Sequence, residues 1–101
     1  MSKPEITYDS KAAAHMALAC LDLTDLNDDS TEEAVLDLCD RAMTAHGPAA
    51  AICIWPRFVA AARKKLGPLS PVRIATVVNF PSGALASDKV VDETVTAIAH
   101  G

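Results

Sequence analysis

Val72–Phe80 reads VRIATVVNF, a run so dense in Val, Ile and Thr that it suits a pleated strand better than a helix. It runs into Pro81-Ser82-Gly83, a tight-turn composition. Two shorter apolar runs precede it, Leu21–Leu26 (LDLTDL) and Ala49–Trp55 (AAAICIW). The second is almost continuously apolar, as expected of a strand buried on both faces. The first is interrupted by Asp22 and Asp25.

A helical pattern follows each run. After the first, Ser30 and Glu33 have capping-box spacing, which predicts a helix from about Thr31. Val35, Leu38, Cys39 and Ala42 give that helix one apolar face, and His46–Pro48 ends it. After the second, Pro56 breaks the strand and Arg57–Leu66 forms a short helix with Phe58, Ala61, Ala62 and Leu66 on one side. Gly67 and Pro68 stop it. After the third, Ser87 can cap a last helix in which Val91, Val95 and Ile98 are spaced i, i+4, i+7. Ahead of all three, Lys11–Cys20 is rich in Ala and Leu and reads as a helix capped by Asp9 or Ser10. Residues 1–9 read as a loose lead-in. The order is a helix followed by three βα units in one α/β domain with a parallel sheet. Three strands are few for a sheet that must be covered on both faces.

Composition excludes several classes of function. Half of the 101 residues are apolar and the formal net charge is −4, a globular and mildly acidic chain. The only adjacent basic residues are Arg63, Lys64 and Lys65, one solvated helical turn, so no nucleic-acid partner is expected. No apolar stretch has the length of a membrane span, and MSKPEITYDS lacks the apolar core of a signal peptide. Cys20, Cys39 and Cys53 are widely spaced with no C-x-x-C, which argues against a disulfide framework or zinc site and for a reducing cytoplasm. His15, His46 and His100 have no ligand spacing, so no metal is expected.

In a βα barrel, groups that act on substrate lie towards the C-terminal ends of strands. Asp22 and Thr24 in the first run, Cys53 in the second, and Asn79 with Phe80 closing the third are the candidates. A carboxylate among Leu21, Leu23 and Leu26 costs several kcal/mol unless it is paired or hydrated. Asp22 therefore reads either as a strand-end acid facing water or a loop amide, or as a functional group. Asp25, Asp28 and Asp29 read as turn and cap residues. Cys53, between Ile52 and Ile54, reads as an apolar filler at the edge of a pocket, and Cys20 and Cys39 as core. Trp55 and Phe80 are aromatic residues at strand ends. Pro81-Ser82-Gly83 could offer backbone amides to a phosphate, on the weak signal of one glycine.

Together, the three runs resemble deoxyribose-phosphate aldolase. Asp22-Leu23-Thr24 with Leu26-Asn27-Asp28-Asp29 is similar to the first strand and loop of that family. Ala50–Phe58 (AAICIWPRF) is similar to its second strand, where a tyrosine often replaces Trp55. Arg73–Gly83 (RIATVVNFPSG) is similar to its third, and Ala97–Gly101 to the stretch before its fourth. The resemblance covers roughly residues 15–101, in order and with similar spacing.

It implies the first part of a (β/α)8 TIM barrel of the class I aldolase type, working without a metal or other cofactor. The family reversibly cleaves 2-deoxy-D-ribose 5-phosphate to glyceraldehyde 3-phosphate and acetaldehyde through a lysine Schiff base. The resemblance assigns Asp22 and Thr24 to contacts with substrate hydroxyls, Leu26 and Phe80 to pocket walls, and Cys53 to a non-catalytic pocket position. The family's Schiff-base lysine, its activating lysine and a key aspartate come from the sixth, seventh and fourth strands, beyond Gly101. Lys3, Lys11, Lys64, Lys65 and Lys89 lie in the tail, on helices or beside a cap. The chain is therefore expected to be an N-terminal fragment, inactive alone. A parallel sheet of three strands leaves two open edges, which predicts a homo-oligomer or a self-associating module.

Overall fold

In the computed structural model, which describes residues 10–101, the three runs form one sheet. The chain order is α1 (Ser10–Ala19), β1 (Asp22–Asp25), α2 (Glu32–Ala42), β2 (Met43–Thr44), β3 (Gly47–Pro48), β4 (Ala51–Ile54), a 3-10 turn (Pro56–Phe58), α3 (Val59–Leu66), β5 (Arg73–Thr76) and α4 (Ser87–His100). Strands β1, β4 and β5 are parallel in the order β1-β4-β5. Their register stacks four cross-strand rows: Asp22–Ala51–Arg73, Leu23–Ile52–Ile74, Thr24–Cys53–Ala75 and Asp25–Ile54–Thr76. The expected lead-in at residues 1–9, with Asp9 as a cap, falls outside the described residues.

Alternation along the strands divides the sheet into two faces. Ile52 and Ile54 are fully buried against Val35, Leu38, Cys39 and Ala42 of α2 and Val59 and Ala62 of α3. Leu23 and Ile74 pack against the same cluster. All four residues expected on the inner side of α2 lie in this core. Burying a side chain the size of Ile52 contributes about 1.5–3 kcal/mol, so this layer holds β4 between its helices.

Several boundaries differ from expectation, each for a local reason. All three strands are shorter than their apolar runs. The third ends at Thr76 because the chain turns at Asn79, whose φ of 54° no strand can hold. The α2 cap is Thr31, whose hydroxyl accepts from the Ala34 N–H at 3.1 Å; Ser30 instead donates to Asp25 at 2.8 Å. Ser10 and Ser87 lie inside their helices, and α4 starts after Ala86 with no side-chain cap. The 3-10 turn takes the first residues of the helix expected at Arg57. Residues 43–48 form an unexpected antiparallel hairpin, closed by the Thr44 hydroxyl donating to the Gly47 carbonyl at 2.6 Å. Cys20, expected in the core, is exposed, whereas Cys39 is buried.

Helix α4 also faces differently from its apolar stripe. Val91, Val95 and Ile98 are 59%, 60% and 74% exposed, and Ala97 is the buried residue. A small side chain there lets α4 approach α3. The helix ends are joined by Arg63, whose guanidinium donates to the Gly101 carbonyl at 2.9 and 3.2 Å and to that of Gly67 at 3.3 Å.

Candidate functional site

The sheet face away from α2 and α3 carries the alternate residues of each strand. Asp22 and Thr24 point there from β1, Ala51 and Cys53 from β4, and Arg73 and Ala75 from β5. Asp22 and Thr24 are exposed and Cys53 is half-buried. Thr24 is the register partner of Cys53, one strand spacing away at about 4.8 Å. Strand alternation therefore brings three of the five expected site residues onto one surface.

That surface offers a carboxylate, a hydroxyl and a thiol. Burial pushes the Cys53 thiol above its ordinary value of 9.0, and the Asp22 carboxylate raises it further. The sulfur is thus kept as a neutral thiol near neutral pH, poor as a nucleophile and suited to lining a wall. Asp22 and Thr24 can bond hydroxyl groups placed above the sheet, Asp22 as acceptor and Thr24 as donor or acceptor.

Leu26 and Phe80, the other two expected residues, lie past the C-terminal ends of β1 and β5. Leu26 is half-buried between Asp25 and Asn27. Phe80 is half exposed and meets Trp55 with ring centroids 5.8 Å apart at 55°. The Trp55 indole N–H donates to the Asn27 carbonyl at 2.9 Å, linking the β1 loop to the end of β4. Arg57 stacks over the Phe58 ring at 4.6 Å and stands 5.7 Å from that of Trp55. These side chains thus form an aromatic rim past the C-terminal ends of the strands, with Trp55 also packed against the helix-side core.

Two loops hold this rim. After β1, the Asp25 carboxylate accepts from the Asn27 amide N–H at 3.2 Å, the Asn27 side-chain amide at 2.9 Å and the Ser30 hydroxyl at 2.8 Å. The Ser30 bond leads the causes that hold the Asp25 carboxyl below its ordinary value, with Asn27 and Arg41 adding to it against burial. After β5, Asn79 is the hub. Its side-chain oxygen accepts from Leu85 N–H at 2.8 Å, its carbonyl from Gly83 N–H at 2.9 Å, and its own N–H reaches Glu93 at 3.4 Å. Ala84 N–H donates to Ser82 at 3.2 Å. The amides of Gly83, Ala84 and Leu85 are therefore occupied within the loop, so the Gly83 amide is not open to a phosphate.

Sequence reasoning placed Asp25 in a turn but missed the contact between Asn27 and Trp55. The two are 28 residues apart, and no local pattern announces a contact of that range. Among the described residues, no group of three or more His, Cys, Asp or Glu gathers as metal ligands. No lysine among them lies on the open face: Lys11 is on α1, Lys64 and Lys65 on α3, and Lys89 on α4. No described helix is long and apolar enough to cross a membrane.

Parallel strands joined through helices, with polar groups on one face and a loop-built rim beyond the strand ends, form a βα-repeat unit of the α/β class, consistent with part of a (β/α)8 barrel. Two solved structures share the fold. One, from Coccidioides immitis and provisionally described as a deoxyribose-phosphate aldolase, has a TM-score of 0.72 over 88% of this chain and 42% of its own, at 23% identity. The other, from Toxoplasma gondii and described in the same terms, has a TM-score of 0.73 over 93% of this chain and 37% of its own, at 24% identity. No protein-family model matches. In sequence, the chain is 54% identical over 91 residues to the deoxyribose-phosphate aldolase of Agrobacterium fabrum, covering 90% of this chain and 35% of that protein. The chain is thus similar in sequence to a deoxyribose-phosphate aldolase and spans about a third of that relative's length.

Proposed function

We propose that these residues form the N-terminal portion of a deoxyribose-phosphate aldolase and supply one wall of its site. The observation that carries the reading is the 54% identity over 91 residues to a protein of that name. In the proposed reaction, 2-deoxy-D-ribose 5-phosphate is cleaved reversibly to glyceraldehyde 3-phosphate and acetaldehyde. A lysine amine forms the Schiff base, and the protonated imine takes up the electrons released as the carbon–carbon bond breaks.

Within that reaction, Asp22 and Thr24 bond substrate hydroxyls while Leu26, Cys53 and Phe80 shape the pocket. The chain's own contribution is to orient the substrate and exclude water. The amine must come from residues other than these, since no described lysine lies on the open face. The proposed location is cytoplasmic and the proposed role deoxyribonucleotide breakdown, with no metal. Borohydride reduction in the presence of acetaldehyde tests this division of labour. The chain alone should acquire no covalent adduct, and a trapped adduct on any of its lysines would overturn the assignment.

A second reading is that the chain associates with copies of itself. It is favoured by the exposed stripe Val91, Val95 and Ile98 and by β1 and β5 as outer strands among the described residues. A compact monomer at all concentrations in sedimentation would remove it.

A further inference from the structure

We propose that Asp25 is a positioning residue: it sets the β1 loop so that the Asn27 carbonyl holds the Trp55 indole, and through Trp55 it places Phe80 at the rim. Each link is a direct contact. One Asp25 carboxylate oxygen accepts from both the backbone and side-chain N–H groups of Asn27, and the other accepts from Ser30. These three bonds close Asn27–Ser30 into a turn, completed by the Ser30 N–H donating to the Asn27 carbonyl at 3.1 Å. That same carbonyl accepts the Trp55 N–H at 2.9 Å. Trp55 then packs on Phe80 at 5.8 Å.

The Asn27 carbonyl thus serves two donors, and its direction is set by the turn that Asp25 ties. An indole N–H is a donor only and needs one well-placed acceptor. Asp25 alternates out of the row containing Thr24, so it stands on the helix-covered face and does not reach the open one. It acts through the turn residues Asn27 and Ser30 and, by way of the Asn27 carbonyl, on Trp55. That the rim borders a substrate pocket rests on the aldolase reading; the coupling of Asp25 to Trp55 does not.

The chain has one tryptophan, so its indole N–H gives a single cross-peak in a proton–nitrogen correlation spectrum. The test compares wild type with Asp25→Ala, Asp25→Asn and Ser30→Ala, and with Lys64→Gln as a control at an exposed position of α3. In wild type the indole proton should be shifted from the free position and exchange slowly with water. Asp25→Ala should move it towards the free position and speed its exchange about fivefold, the scale of one lost intramolecular hydrogen bond. Asp25→Asn, which keeps an acceptor oxygen, and Ser30→Ala should give intermediate shifts. Lys64→Gln should give none, and helix content should stay constant throughout. A wild-type indole that already behaves as free tryptophan overturns the proposal, as does an unmoved cross-peak in Asp25→Ala. Equal loss of fold in all three loop variants also overturns it, because Asp25 would then be a general stability residue. Because none of these readouts uses activity, failure of the aldolase reading would leave them unchanged.

Discussion

At the scale of the residue, the two aspartates of β1 do opposite things although they stand three positions apart. Asp22 is exposed on the open face beside Cys53, and Asp25 is bonded into its own loop. Strand alternation separates them, so their facing was legible in the order Asp-Leu-Thr-Asp. The partners of Asp25 were legible in part, as turn chemistry; the reach to Trp55 was not. Alkylation at pH 8 should modify exposed Cys20 well before Cys53, whose thiol is held above 9.0. Asp22→Asn removes the smaller of the two causes, so it should speed Cys53 labelling by less than about tenfold. Peptide mass mapping reads both effects. The Asp25 carboxyl, by contrast, lies below its ordinary 3.8 in the folded chain. Its contribution to stability is complete above that value and is lost as pH falls through the lower, folded-state value. Melting temperatures of wild type and Asp25→Asn should therefore differ at pH 5 and converge towards pH 2.

At the scale of the element, strand identity was readable from composition, but strand ends were not. The run VRIATVVNF contains β5, yet Asn79 turns the chain through a left-handed conformation that an apolar pattern cannot announce. Asn79→Gly keeps that conformation but loses the acceptor for Leu85, whereas Asn79→Ala loses the acceptor and adds strain. The alanine variant should be the less stable by about 1 kcal/mol in chemical denaturation. Ser30 looked like the α2 cap because its spacing to Glu33 fits, but the helix starts one residue later, so the Thr31 hydroxyl accepts from Ala34 N–H while Ser30 donates to Asp25. Thr31→Ala should consequently cost about 1 kcal/mol. In the helix-covered layer, Ile52→Ala or Ile54→Ala should cost about 2–5 kcal/mol, since each side chain is fully buried among branched neighbours. The α4 stripe was legible as a stripe; its outward facing was not, because Ala97 rather than a large residue makes the contact.

At the scale of the whole molecule, the sheet has one face packed by helices and one that carries Asp22, Thr24 and Cys53, uncovered among the described residues. The alternation of strands and helices was enough to read a parallel α/β arrangement, and the three linked runs pointed to an aldolase barrel. The rim was harder to read because it depends on contacts among three loops. If copies of the chain associate through α4, Val95→Lys with Ile98→Lys should shift sedimentation towards the monomer and leave helix content unchanged. The position of β4 between two parallel neighbours has a kinetic consequence as well. A central strand uses its amides alternately towards each side, while an outer strand leaves every second one to solvent. In the chain alone, where β1 and β5 are the outer strands among the described residues, deuterium should therefore enter Ile52–Ile54 slowly and at every position, but enter β1 and β5 in a fast–slow alternation.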